Sequence, residues 1–140
     1  MKKARLIVFS MLIVLSLIGP SFPEEVMNKV IVYYFYTDVR CPTCYKLEKY
    51  TKSAVETFFT EEIKAGTVQF QAINTDKPEN NHFLNDYQLY TKSVVISLVK
   101  NGKEQKFKNL PKIWDLVDDE GAFSQYINAE TNGYLAEVNL

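Results

Sequence analysis

The chain has 140 residues, with 16 Lys+Arg against 17 Asp+Glu and a formal net charge of −1. That length supports one domain around one core. The near-neutral balance leaves no electrostatic footprint for nucleic acid, and two cysteines are too few for a disulfide scaffold.

Residues 1–21 read as an export signal. Lys2, Lys3 and Arg5 form a basic start, and Leu6 to Ile18 is a mostly apolar run of signal-peptide rather than membrane-span length. Gly19-Pro20-Ser21 then supplies small and turn residues, with cleavage expected after Ser21. The alternative is a retained N-terminal anchor. Either way the domain formed by residues 22–140 is expected to be exported, periplasmic or extracytoplasmic, in a bacterium. Losing the three basic residues takes the net charge from −1 to −4. No nucleic-acid partner is therefore expected, and membrane contact only if the N-terminal segment is retained.

Phe22 to Asn28 reads as an irregular leader. Lys29 to Tyr36 reads as a central strand, because both of its alternating faces are apolar or aromatic. Val30, Val32, Tyr34 and Tyr36 should face one way, and Ile31, Tyr33 and Phe35 the other. Thr37 to Arg40 is a loop, and Pro42 suits a first helical turn. One helix is expected from there to about Lys64, with Cys44, Leu47, Thr51, Val55, Phe58 and Phe59 inward and Gly66 as its stop.

Val68 to Ile73 alternates as a second strand, and Asn74-Thr75-Asp76-Lys77-Pro78 is a turn. Glu79 to Leu89 reads as a helix with Phe83, Leu84 and Tyr87 inward. Ser93 to Val99 is a third strand. Asn101-Gly102 signals a hairpin into a fourth strand, Lys103 to Phe107. Leu110 to Val117 and Gly121 to Leu135 read as helices with Ile113, Trp114, Leu116, Val117, Phe123, Tyr126, Ile127, Tyr134 and Leu135 buried. The helical crossover makes the first two strands parallel. The expected class is α/β: a central mixed four-stranded sheet with helices on both faces.

The two cysteines stand at the strand-to-helix junction as Cys41-Pro42-Thr43-Cys44. A helix N-terminus offers free N–H groups and partial positive charge, which stabilise a thiolate at the first cysteine. The second, one turn later, is close enough to close a disulfide. Three readings stand open: a redox pair, half of a Cu(I) or Zn site, and an inert disulfide. The inert reading gains little, about 2 kcal/mol or less for so short a loop. A full zinc site would need carboxylates or a second copy, since His82 is the only histidine and reads as a surface helix residue. Lys46, Lys49 and Lys52 read as a solvated helix flank. Asp38 is a candidate helix cap, or a proton acceptor, and Trp114 reads as core.

The element order with Cys-x-x-Cys after the first strand resembles the thioredoxin-like superfamily over nearly the whole domain. Ile73 to Pro78 and Leu98-Val99-Lys100-Asn101-Gly102-Lys103 also look like segments of that fold. The resemblance implies that Cys41 is the nucleophile and Cys44 the resolving thiol, acting on a protein dithiol or disulfide partner, with Arg40, Pro42, Thr43 and Val94 as supporting positions. It requires no cofactor and no metal.

The wording Tyr36 to Glu48, Tyr90 to Val95 and Lys112-Ile113-Trp114 is similar to a family of small exported bacterial thioredoxin-like proteins. Some of its members carry the label of a nitrophenyl-compound nitroreductase subunit. A nitro group takes electrons from a cofactor, and no G-x-G-x-x-G fingerprint occurs among the five glycines. The label would leave this chain passing electrons or holding a partner. Non-catalytic use of the scaffold as a subunit is a further alternative.

Three positions depart from the superfamily pattern. Val94 stands where a cis-proline is usual, and a cis bond before valine costs about 2.5–4 kcal/mol. Phe35 stands where a buried acid is usual, six residues before Cys41. Arg40 replaces a tryptophan and brings positive charge beside Cys41.

Overall fold

A computed structural model describes residues 27–140. The expected export signal, residues 1–21, its cleavage position and residues 22–26 of the expected irregular leader lie outside the described residues. The described chain begins with β1, Lys29–Tyr36, whose six middle residues are all buried. β1 lies inside the sheet, between β2 (Val68–Asn74) and β3 (Ser93–Lys100), and β4 (Lys103–Asn109) completes the order β2-β1-β3-β4. β1 and β2 are parallel; β1 with β3 and β3 with β4 are antiparallel. The mixed four-stranded sheet expected from the sequence is the one that forms. A strand with neighbours on both sides and helices over both faces has no solvent face, which is why Val30 to Phe35 carry no polar side chain except tyrosine hydroxyls.

The two faces of β1 separate as the alternation requires. Val30, Val32 and Tyr34 join Val94, Ile96 and Leu98 of β3 in the larger core cluster. This cluster is roofed by α1 (Pro42–Phe58) and α5 (Glu120–Leu135) through Leu47, Ala54, Val55, Phe123 and Ile127. Ile31, Tyr33, Phe35 and Val95 face the other way, against Tyr87 and Leu89. There the rings of Phe35, Phe83 and Tyr87 lie 5.2–5.8 Å apart, centre to centre. The covering helix on this side is the short α3 (His82–Asp86).

Four expectations about boundaries are corrected. The single helix to Lys64 is two, α1 and α2 (Thr60–Ala65), broken at Phe59, whose φ and ψ are −125° and 32°. The break turns Phe59 fully inward and leaves Phe58, expected inward, 38% exposed. Thr60 Oγ1 donates to the Glu56 carbonyl, a contact of the kind that bends helices. Gly66 does end the second helix, at φ 78°, a conformation open to glycine without a Cβ penalty.

The helix expected over Glu79 to Leu89 is a 3-10 turn, Pro78–Asn80, followed by the five residues of α3. The chain leaves it through Gln88 at φ 52°. β4 extends to Asn109, past a register shift at Leu98/Val99. Leu110 is not helical: its N–H bonds the Val94 carbonyl at 2.9 Å and its side chain is fully buried, so only Ile113–Leu116 (α4) coils. Trp114, Leu116, Tyr126 and Leu135 pack at the rim of the core rather than inside it. Among the described residues no helix is long and apolar enough to cross a membrane.

Candidate functional site

β1 ends at Tyr36 and α1 begins at Pro42, so the intervening loop delivers Cys41 to the C-terminal end of the central strand. Cys41 is the N-cap of α1, in extended backbone geometry (φ −99°, ψ 165°). Its sulfur accepts the Cys44 N–H at 3.2 Å, and its carbonyl accepts the Tyr45 N–H. The cap role expected for Asp38 is therefore taken by the cysteine. Asp38 instead accepts the Asn74 side-chain amide at 2.7 Å, and its own N–H donates to Asp76. These contacts tie the loop before Cys41 to the loop after β2. Pro42 occupies the first helical position, where no N–H is needed.

Cys41 and Cys44 are joined as a disulfide, with Cα atoms 5.0 Å apart. Their surroundings differ. Cys41 is exposed, as is Pro42, and Thr43 is half-buried. Cys44 is 2% exposed, beneath the first turn. An accessible sulfur at a helix start and a covered one behind it is the asymmetry that attack and resolution need.

Below Cys44 lies Tyr34, fully buried, whose hydroxyl donates to the Cys44 carbonyl at 2.7 Å. Burial pushes the Tyr34 phenol up to about 12, against the opposing pull of Arg40. Tyr34 pairs in register with Val94, which is fully buried and whose carbonyl holds Leu110. No peptide bond among the described residues is cis, Ser93–Val94 included. Phe35, in the position expected to lack an acid, sits in the aromatic cluster on the opposite face of the sheet.

Arg40 does not stand free beside Cys41. Its guanidinium bonds the Glu48 carboxylate on α1 and lies over the rings of Tyr45 and Tyr36, at 4.1 and 4.5 Å from their centres. Burial weakens the Arg40 charge, but the bond and charge of Glu48 outweigh it and hold the guanidinium above its ordinary value. Sequence reasoning missed Tyr34, Tyr45 and Glu48. The signal for Glu48 was its i+4 spacing from Cys44, which places the two on one helix face.

Val39 and Tyr45, two residues before and four after Cys41, are 80% and 57% exposed, and Tyr90, beyond the Cys41 end of β1, is 93% exposed. A recess of about 170 Å³ opens at this end of the sheet between Tyr36, Thr37, Thr75, Tyr90 and Thr91. Trp114 holds the adjoining segment, its indole N–H donating to the Lys92 carbonyl at 3.1 Å.

His82 is exposed and pairs with Asp86 at 2.7 Å. Lys46, Lys49 and Lys52 are exposed on α1, with Lys46 near Asp118 and Lys52 near Glu56. Among the described residues no three His, Cys, Asp or Glu side chains gather in a metal-binding group.

No protein-family profile and no curated protein matches this chain. Among solved structures it is similar to a Thermus thermophilus thioredoxin, at 18% identity over 80% of this chain and 75% of that one, with a TM-score of 0.45. It is also similar to a mutant thioredoxin of Entamoeba histolytica, at 20% identity over 74% and 84%, with a TM-score of 0.44. A Fasciola hepatica thioredoxin aligns at 21% identity over 69% and 85%, with a TM-score of 0.38. At these scores the likenesses add nothing to the strand order and pairing already described. On that topology, with a Cys-x-x-Cys disulfide at the end of the central strand, the chain has a thioredoxin-like fold.

Proposed function

We propose that this protein is a thiol–disulfide oxidoreductase that acts through Cys41 and Cys44 on a partner protein. The observation that carries the reading is the asymmetry of the pair: an exposed N-cap cysteine joined to a buried one. In the reducing direction the Cys41 thiolate attacks one sulfur of the partner's disulfide. A Cys41–partner disulfide forms and the partner's other sulfur leaves as a thiolate. The Cys44 thiolate then attacks the Cys41 sulfur, closes the Cys41–Cys44 disulfide and releases the partner's second thiolate. Two electrons pass to the partner, and two protons follow from solvent to its thiols. The oxidising direction is the reverse.

No prosthetic group takes part. The exposed Val39 and Tyr45, close to Cys41 in the chain, give a partner an apolar landing beside the reacting sulfur. Work outside the cytoplasm is part of this proposal and rests on the basic–apolar leader in the sequence. Kinship with the small exported proteins that carry the nitroreductase label rests on the matching stretches alone. Of that label the proposal keeps only electron transfer by the dithiol.

The test is turnover of a protein disulfide such as insulin by the reduced chain. With dithiothreitol present to re-reduce the Cys41–Cys44 pair after each round, wild type should reduce it catalytically and Cys41→Ser should not. Cys44→Ser should stall as a mixed disulfide through Cys41. Turnover retained in Cys41→Ser would refute the mechanism.

A further inference from the structure

Arg40 and Glu48 bracket the cysteine pair. Arg40 directly precedes Cys41, and Glu48 lies four residues, about one helical turn, beyond Cys44. Their side chains bond each other and are drawn in, with 14% and 28% exposure. The groups that face the guanidinium are Tyr34 and Tyr36 from β1 and Tyr45 and Glu48 from α1. Glu48 is the one carboxylate among them. Arg40 Nε is buried without a hydrogen-bond partner. The guanidinium is thus held by rings and by one carboxylate, and Tyr34 links this cage to the Cys44 carbonyl.

Two opposite charges therefore sit on the residues that bracket the thiol pair, one just before Cys41 and one a helical turn beyond Cys44. A cation beside a thiol favours its thiolate, and an anion disfavours it. The screening that weakens exposed ion pairs is reduced where both side chains are mostly covered. A lone arginine here would drive the pair toward the dithiolate and make the disulfide strongly oxidising. A lone glutamate would do the opposite.

We propose that the Arg40–Glu48 pair tunes the dithiol by charge balance, Arg40 favouring the Cys41 thiolate and Glu48 offsetting it. Both are positioning residues, since neither touches the reacting sulfur of a partner. The inference rests on the dithiol reading above and adds to it the control of the equilibrium Cys41–Cys44 disulfide plus two electrons and two protons to dithiol.

The experiment uses the full chain as wild type, Glu48→Gln, Arg40→Gln and the double variant. Two quantities are read on each: the ionisation of the Cys41 thiol in reduced protein, by thiolate absorbance against pH, and the disulfide–dithiol equilibrium in glutathione buffers. Glu48→Gln should raise the thiolate-to-thiol ratio about tenfold and shift the equilibrium about tenfold toward dithiol, about 30 mV. Arg40→Gln should shift both about tenfold the other way, and the double variant should return to within about threefold of wild type. Arg40→Lys, which keeps the charge, should stay closer to wild type than Arg40→Gln.

A merely structural role would move both single variants in one direction, and that result, or no movement in either, overturns the proposal. If Arg40→Gln does not fold, the sign of the shift in the near-isosteric Glu48→Gln decides alone. If wild type shows a titrating thiol but no reversible disulfide transition, the oxidoreductase reading fails. The opposed signs in thiol ionisation still decide the charge balance.

Discussion

The Tyr34 hydroxyl donates a 2.7 Å hydrogen bond to the carbonyl oxygen of Cys44. One residue is at the centre of the sheet and the other in the first turn of α1, so this bond pins the disulfide-bearing turn to the core. Tyr34→Phe keeps the ring and removes the donor. It should lower stability by about 1–2 kcal/mol, as a drop in the denaturant midpoint with an unchanged slope. It should also raise hydrogen exchange at the first-turn amides of α1.

The same residue should shape the alkaline limb of stability. Burial raises the folded Tyr34 phenol from its ordinary value of 10.0 to about 12. The unfolded chain therefore releases this proton first. The contribution is fully present below pH 10 and is lost as pH rises from there through about 12. That rise corresponds to roughly 2–3 kcal/mol. Unfolding measured from pH 8 to 11 should show wild type losing stability above pH 10 more steeply than Tyr34→Phe. Equal slopes would deny the residue this role.

The break between α1 and α2 separates two adjacent phenylalanines. Phe59 is 1% exposed and Phe58 38%. Phe59→Ala should cost about 3–5 kcal/mol and Phe58→Ala about 1 kcal/mol or less. Thermal unfolding of the two variants checks the difference. Similar losses would mean that one uninterrupted helix buries both.

Trp114 reaches the segment before β3 with its indole N–H on the Lys92 carbonyl. Trp114→Phe should cost about 1 kcal/mol of stability and raise hydrogen exchange at Tyr90, Thr91 and Lys92. Because Tyr90 is exposed at the recess beyond the end of β1, where a docked partner would reach, turnover of a protein disulfide should weaken mainly through KM. A fall confined to kcat would mean that Trp114 acts on the chemistry itself.

The strand order was legible because each strand carries a period of two or a fully apolar run, and because Asn101-Gly102 announces the hairpin. Cys41 and Cys44 were legible as a pair for the same reason: a buried strand ends and a helix begins around them. Phe58 and Phe59 were not separable by period, since neighbours on a helix wheel both border its apolar face. The Glu79 to Leu89 pattern has inward residues at helical spacing, yet tertiary contacts with Phe35 and Tyr33 keep Phe83 and Tyr87 in place without a continuous helix. Asp38 looked like a cap because aspartate commonly is one; the cap is a sulfur, which residue preferences do not rank. Arg40 announced a charge, but its partner lies across a loop-to-helix junction that no local periodicity connects.

The most direct test of the central claim is a redox titration of the chain in glutathione buffers, read by thiol trapping and mass spectrometry, with metal content measured on the same sample. A reversible two-electron transition of Cys41 and Cys44 at a physiological potential, in metal-free protein, is the predicted result, and its midpoint gives the direction of electron flow. A disulfide that never opens across the accessible range, or bound metal that blocks trapping, would contradict the account and leave the cysteines a structural or metal-handling role.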